Sequence, residues 1–513
     1  QRNRLEEKCQ WREQEMLQQE TRQKSGNRRT TRRKSESTGI ERKKMNKQAK
    51  ITTFVISFIF LFMIGYYLYF VVVDSHDILN NPYNHRIDSQ SSTVIRGTIY
   101  SKNGKKLAYT DTKNTESDLT DDTREYPYGN VFSHAIGITT HGKYGLEKMC
   151  NYDLLSSQTN VISKIVDDFT DNTEKGCDVH TTLSVNIQKT AYNSLKGYKG
   201  AAFVMNPTTG EIYSMVSLPS YDPSTINDIW DQIANDPNDS RLVNRATQGK
   251  YIPGSIFKIL TTLEYMRENK NYNDFSYNCN GQANFGGFSI KCFNGNSHGS
   301  ETLKDAFAYS CNSAFSTIGN SLKVSKFKKT AEDLMFNQKL PLDMDYNQSV
   351  FPLDKDSTEF DITQTSIGQG KTTISPAHMA MIASAIANDG VLMKPYIVDH
   401  IESSSGNVVS YTKQEKYKTL MTKAEAKQLQ EYMAAVCEYG TGRIMANSDY
   451  SAYGKTGTAE VDKKDNVNSW FVGYAKKGKR KIAIAVVIEN MPEGSNSAVN
   501  CVKEIFDSYF DKK

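Results

Sequence analysis

Three short patterns in this chain hold residues that can carry out acyl transfer through a serine. Ser255-Ile256-Phe257-Lys258 puts a hydroxyl and an amine three positions apart, and on a helix that spacing places both on one face. A serine hydroxyl is a weak nucleophile until a base takes its proton. A lysine can be that base where burial and a neighbouring cation favour its neutral form. Pro253-Gly254 suits a tight turn into a helix start, whose free N–H groups can stabilise an oxyanion. Ser310-Cys311-Asn312 and Lys455-Thr456-Gly457-Thr458 follow in order.

Singly, these patterns are weak. S-x-x-K recurs at Ser325–Lys328 and Ser410–Lys413, both in polar, solvated surroundings, and S-x-N begins at several other serines. A lone Ser255 would read equally well as a helix N-cap, and a lone Lys455 as an exposed turn lysine. Lys455-Thr456-Gly457 occurs once, however, and the ordered set of three carries the weight. The elements that must position them are legible. Ile187 to Leu195 reads as a helix, and Gly200 to Met205 and Glu211 to Leu218 as strands joined by the turn Asn206-Pro207-Thr208-Thr209-Gly210. Helices dominate 255–335 and 375–388. Trp470 to Ala475 and Lys481 to Glu489 read as adjacent strands, with a helix at 498–510. Before them, Thr93 to Tyr100 is strand-like, Asn103-Gly104 signals a hairpin turn, and Thr110 to Thr123 is a polar loop.

Of the 513 residues, 63 are Lys or Arg and 58 Asp or Glu, a net +5. The charge is uneven: residues 1–50 hold 16 basic and 7 acidic residues (+9), leaving 47 and 51 (−4) for the rest. Between the basic tail and the acidic body, Ile51 to Val73 runs 23 residues without a charge. About 20 apolar residues span a bilayer. Tyr66, Tyr67 and Tyr69 suit one interface, and Lys43, Lys44, Lys47 and Lys50 flank the other end. The positive-inside rule then predicts a cytoplasmic N-terminus and an extracytoplasmic body. The run is too long for a cleaved signal, and no small-residue cleavage site follows it. The tail reads as disordered or fraying helix near anionic headgroups, rather than as a nucleic-acid-binding arm. The expected domains are a tail at 1–50, a transmembrane helix at 51–73, a β-rich membrane-proximal module at 74–177 and an α+β domain at 178–513.

The chain resembles the class B penicillin-binding proteins, monofunctional peptidoglycan D,D-transpeptidases, of the penicillin-binding protein A type. The likeness rests on the three patterns and on further landmarks. These are Arg96-Gly97 with Asn103-Gly104, Tyr144-Gly145-Leu146-Glu147, Asn206 to Ile212, and Pro219-Ser220-Tyr221-Asp222-Pro223. Tyr251 to Ser255, His298-Gly299 and Ser366-Ile367-Gly368-Gln369-Gly370 complete the set. The resemblance implies a serine β-lactamase/transpeptidase-like domain, an antiparallel sheet with a helical subdomain, on a small β-rich pedestal with one transmembrane helix. It implies Ser255 as nucleophile, Lys258 as general base and Ser310 as proton relay. Asn312, Lys455, Thr456, Gly457 and Thr458 would bind substrate. Lys455 would stay charged to hold a carboxylate, its field depressing the pKa of Lys258, and the N–H groups of Ser255 and Thr458 would form an oxyanion hole. Stem peptides ending in D-Ala-D-Ala and β-lactams are the implied ligands, and a multispanning SEDS-type glycan polymerase the implied partner, because about 100 residues leave no room for a glycosyltransferase domain. No cofactor, metal or nucleic acid is expected.

Rival readings are a D,D-carboxypeptidase or β-lactamase-like hydrolase, a β-lactam sensor and an inactive scaffold. No E-x-x-L-N loop lies between Ser310 and Lys455, and Glu332-Asp333-Leu334-Met335-Phe336-Asn337 does not supply one. A sensor of this superfamily would carry several spans, and the intact motif set argues against a scaffold. The family sometimes shows a cysteine pair where Cys279 and Cys292 bracket a Gly-rich stretch, which implies a disulfide unless the surroundings are reducing. Cys311 reads as packing and His298 as structural, and no Cys/His group shows zinc spacing along the chain.

Overall fold

The computed structural model describes residues 3–70, 94–112, 123–157, 174–460, 466–492, 494–495 and 497–511. The chain divides into two compact units, Gln1–Leu79 and Asn80–Lys513.

Among its described residues the first unit is one helix, Asn3–Tyr69. Its apolar part is Asn46–Tyr69, 24 residues, or about 36 Å at 1.5 Å per residue. It therefore fits a single-pass membrane anchor. The span expected at Ile51 to Val73 overlaps it from Ile51 to Tyr69, and Val71 to Val73 lie outside the described residues. The tail, expected to be disordered or fraying, is helical and continuous with the span. Arg, Lys, Gln and Glu lose little side-chain freedom in a helix, and residues 1–50 contain no proline.

In the second unit, five antiparallel strands form the sheet on which the site is built. They are β1 (Gly200–Met205), β2 (Ile212–Leu218), β3 (Ser451–Glu460), β4 (Asn466–Lys477) and β5 (Arg480–Pro492), in the spatial order β3-β4-β5-β1-β2. Side chains alternate across a sheet. Phe203, Met205, Trp470, Val472, Ala485 and Val487 face one core with the fully buried helix Pro376–Ala387. Ala202, Val204, Phe471, Ile484, Val486 and Ile488 face the other, against Val185–Leu195 and Ser497–Phe510. Both faces are covered, so the central strands read as unbroken apolar runs. The strands expected for this sheet and the C-terminal helix are present, and the fold is α+β; the stretch expected to be strand-like from Thr93 to Tyr100 forms only Val94–Ile95 and Ile99–Tyr100 among the described residues.

A second, six-stranded sheet takes Ile99–Tyr100, Lys106–Asp111 and Thr123–Glu125 from the membrane-proximal segment and Asp178–Thr181, Val398–Glu402 and Val408–Tyr411 from beyond it. Ile99–Tyr100 pairs in parallel with Asp178–Thr181, so this sheet runs across the boundary expected at 177/178. The hairpin turn lies at Asn103-Gly104, with Gly104 at φ +69. Of the loop expected at Thr110 to Thr123, the ends belong to strands and 113–122 lie outside the described residues.

A buried ion cluster beside this sheet explains two of the sequence landmarks. Glu147 is 0% exposed and accepts hydrogen bonds from Arg96 Nε at 2.6 Å and Arg124 Nε at 2.8 Å. Arg96 also donates to Glu147 O and Asn151 Oδ1, and Arg124 to Gly97 O. Burial alone would raise the Glu147 pKa, but the two guanidinium groups and their hydrogen bonds outweigh it and hold the carboxyl below its usual range. Removing the carboxylate would leave two buried guanidinium groups uncompensated. We expect Glu147→Gln to lose about 3–5 kcal/mol at neutral pH in urea unfolding. A carboxyl with a depressed folded-state pKa contributes stability above its unfolded value, about 4.3, and loses it as the pH falls through the folded value. The gap between wild type and variant should therefore close in acid; a loss under 1 kcal/mol at neutral pH would count against the cluster.

Candidate active site

Ser255 lies in the 3₁₀ turn Gly254–Phe257, and Lys258 opens the helix Lys258–Glu268. Gly254 has φ +56, and a Cβ there would sit 2.3 Å from Thr458 O, so only glycine lets the Ser255 turn approach β3 this closely. Gly457 does the same from the strand, where a Cβ would meet Ile256 at 2.8 Å. From behind, Gly254 N donates to Gly368 O and Thr261 Oγ1 to Ser366 O, so the Ser366 to Gly370 landmark is a brace for the turn.

Lys258 is fully buried, and its Nζ donates to Ser310 O at 2.8 Å and to Asn312 Oδ1 at 2.8 Å, with Ser310 Oγ at 3.3 Å. Asn312 is oriented by Nδ2 donating to Lys291 O, which leaves Oδ1 for the lysine. Ser310 adopts a left-handed φ of +61, uncommon for a non-glycine residue; it follows the helix Leu303–Ala308 and precedes Asn312–Ser321. Burial pushes the Lys258 pKa down to about 8, against the opposing influence of Cys311, Cys292 and Glu301. A neutral Lys258 keeps two N–H donors for the two carbonyl oxygens and has a lone pair to accept a proton from a serine. No hydrogen bond holds the Ser255 hydroxyl among the described residues.

Lys455, Thr456, Gly457 and Thr458 lie on β3, the edge strand of the five-stranded sheet. Lys455 is 0% exposed, donates to Thr456 O at 3.1 Å and lies over the Phe307 ring. Burial, and then repulsion from Lys258, hold its pKa well below the usual lysine value. The expected help of Lys455 in depressing the pKa of Lys258 does not appear: burial is what lowers it.

The fold thus gathers Lys258, Ser310 and Asn312 into direct contact, and packs the turn holding Ser255 against the strand holding Lys455 to Thr458. Sequence reading missed Thr441, whose Oγ1 pairs with Thr456 Oγ1, and the buried Glu301, which faces Cys311. Neither belongs to a motif. Cys279 and Cys292 are free thiols here, with Sγ atoms 3.7 Å apart. Spacing along the chain shows no zinc pattern, but the fold brings one Cys/His group together. Cys279, Cys292, His298 and Cys311 hold their ligand atoms within 4.8 Å of one another. They come from separate turns, so linear spacing hides them.

The sequence family described as the penicillin binding protein transpeptidase domain matches residues 200–507. The chain is 28% identical over 439 residues to the peptidoglycan D,D-transpeptidase PbpA of Mycolicibacterium smegmatis, covering 80% of this chain and 87% of that one. Its fold matches the D,D-transpeptidase domain of the peptidoglycan glycosyltransferase from Eggerthella lenta with a TM-score of 0.72 at 28% identity, covering 82% and 99% of the two chains. It matches penicillin-binding protein A from M. tuberculosis, solved as an imipenem acyl-enzyme complex, with a TM-score of 0.73 at 24% identity and coverages of 82% and 99%. With a family match over more than half its length, the chain belongs to the penicillin-binding protein transpeptidase family.

Proposed function

We propose that this protein is a peptidoglycan D,D-transpeptidase that works through an acyl-serine at Ser255 and is trapped there by β-lactams. The observation that carries the reading is the bonding of buried Lys258 to both ends of Ser310-Cys311-Asn312, beside an edge strand bearing Lys-Thr-Gly-Thr. Neutral Lys258 takes the Ser255 proton as the hydroxyl attacks the D-Ala-D-Ala carbonyl. The N–H groups of Ser255 and Thr458 hold the oxyanion, at about 3–4 kcal/mol for each donor. The intermediate collapses, and D-alanine leaves as its amine takes a proton relayed through Ser310. The amine of a neighbouring stem peptide then attacks the acyl carbon, frees Ser255 and forms the cross-link. Lys455 pairs with the terminal carboxylate, and Asn312, Thr456 and Gly457 help seat the peptide. β-Lactams imitate the D-Ala-D-Ala end and open on the same serine.

The same reading gives residues 1–50 as a cytoplasmic tail, 51–73 as the membrane span, 74–177 as a pedestal and 178–513 as the transpeptidase domain, lying outside the plasma membrane. Basic residues before the span support that orientation. A SEDS-type polymerase, docked through the span, would supply the glycan strands.

Three outcomes are expected. The wild-type chain, given a D-Ala-D-Ala stem peptide and an acceptor amine, yields cross-linked product. A membrane-impermeant fluorescent penicillin labels it on intact cells. Ser255→Ala stays folded but loses both; hydrolysed product alone, persistent labelling of the variant, or labelling only after permeabilisation would each contradict one part of the reading. Penicillin acylation should rise with pH as Lys258 deprotonates, levelling above about 8, while Lys258→Arg, always protonated, stays inactive. A flat profile would remove Lys258 as the base. Replacing the span with an unrelated one should abolish co-purification of the polymerase, and unchanged association would exclude docking through the span.

A further inference from the structure

We propose that Cys279, Cys292, His298 and Cys311 bind one zinc ion that pins the Ser310-Cys311-Asn312 turn. Zinc held tetrahedrally with Zn–S bonds near 2.3 Å places sulfur atoms about 3.8 Å apart, and an imidazole nitrogen about 3.6 Å from each sulfur. Cys279 and Cys292 Sγ are 3.7 Å apart, and Cys292 and Cys311 Sγ 3.8 Å. His298 Nδ1 is 3.3 Å from Cys279 Sγ. Three soft sulfur ligands and one imidazole form a closed structural set that suits zinc.

Hydrogen-bond donors surround the sulfurs. Gly281 N–H donates to Cys279 Sγ and Ala314 N–H to Cys311 Sγ, both at 3.4 Å. The Ser313 hydroxyl lies 3.2–3.4 Å from all three sulfurs. The three cysteines are buried, and the half-buried His298, stacked on Tyr309, offers the approach. Glu301 is 2% exposed, takes Cys311 as a hydrogen-bond partner, and lies within electrostatic reach of His298 and Cys292. A carboxylate so placed can support a metal-bound imidazole. Binding sends the thiol protons to solvent and oxidises nothing.

The ligands tie the turn after strand Ser276–Cys279 and the end of strand Phe288–Lys291 to the N-cap of helix Asn312–Ser321. Cys311 is that cap, and its neighbours Ser310 and Asn312 are the groups that hold Lys258. The metal would therefore set the geometry of the base without touching substrate.

The test uses the full-length protein in detergent, isolated without chelator. Elemental analysis should find about one zinc per chain, released on treatment with an organomercurial that blocks thiols. Cobalt exchanged into the wild type should show thiolate-to-cobalt charge-transfer absorption, a readout that needs no variant to fold. The double variant Cys279→Ser, Cys292→Ser should lose the zinc. Stripping zinc from the wild type should slow fluorescent-penicillin labelling, and added zinc should restore it. Wild type that, after zinc addition and desalting, holds no more metal than the double variant would overturn the site, as would a Cys279–Cys292 disulfide in the isolated protein. Labelling unchanged by zinc removal would overturn the link to the catalytic turn. Metal content is read independently of cross-linking, so failure of this inference and failure of the transpeptidase reading are separable.

Discussion

A lysine amine without water around it is the constraint from which the rest of the site follows. Lys258 is fully buried, and an ammonium in that position is stable only if its protons find oxygen acceptors. The fold meets this with Ser310 O and Asn312 Oδ1, which requires the chain between them to turn sharply and Ser310 to enter a left-handed conformation. The same burial makes the proton easy to remove. One physical circumstance, desolvation with two well-placed acceptors, thus produces both a specific local structure and a usable base.

Lys455 is the counterpart with the opposite need. Its ammonium is as deeply buried but has only the Thr456 carbonyl for company, and the Phe307 ring returns part of the lost solvation. Two residues of one type thus differ in how many oxygen acceptors the fold provides.

Much of this was legible in the residues. Strands β1, β4 and β5 announce themselves because both sheet faces are covered, leaving continuous apolar runs. Ser255, Lys258, Ser310, Asn312 and Lys455 to Thr458 could be named because their chemistry depends on short local spacing. What could not be read depends on distance in sequence. Glu147 meets Arg96 and Arg124 from a different segment, Gly254 owes its necessity to Thr458, and the four Cys/His ligands are brought in by separate turns. The depth at which Lys455 is buried was hidden for a related reason: burial is a property of the fold, and the local sequence carries no measure of it. Helicity of the tail was underestimated because the absence of an apolar stripe was weighed more heavily than strong intrinsic helix formers without proline.

The position of β3 at the rim of its sheet has one further consequence. A rim strand meets an incoming chain with a row of amides, and amides are common to every peptide. A peptide paired along that rim, as the proposed function has it, would be recognised peptide plane by peptide plane, whatever its side chains. Discrimination would then come from the two ends of the bound segment, the charged terminus and the bond to be broken. Such a site can accept stem peptides that vary in their middle residues, and can equally be deceived by any small molecule that presents the right pair of ends.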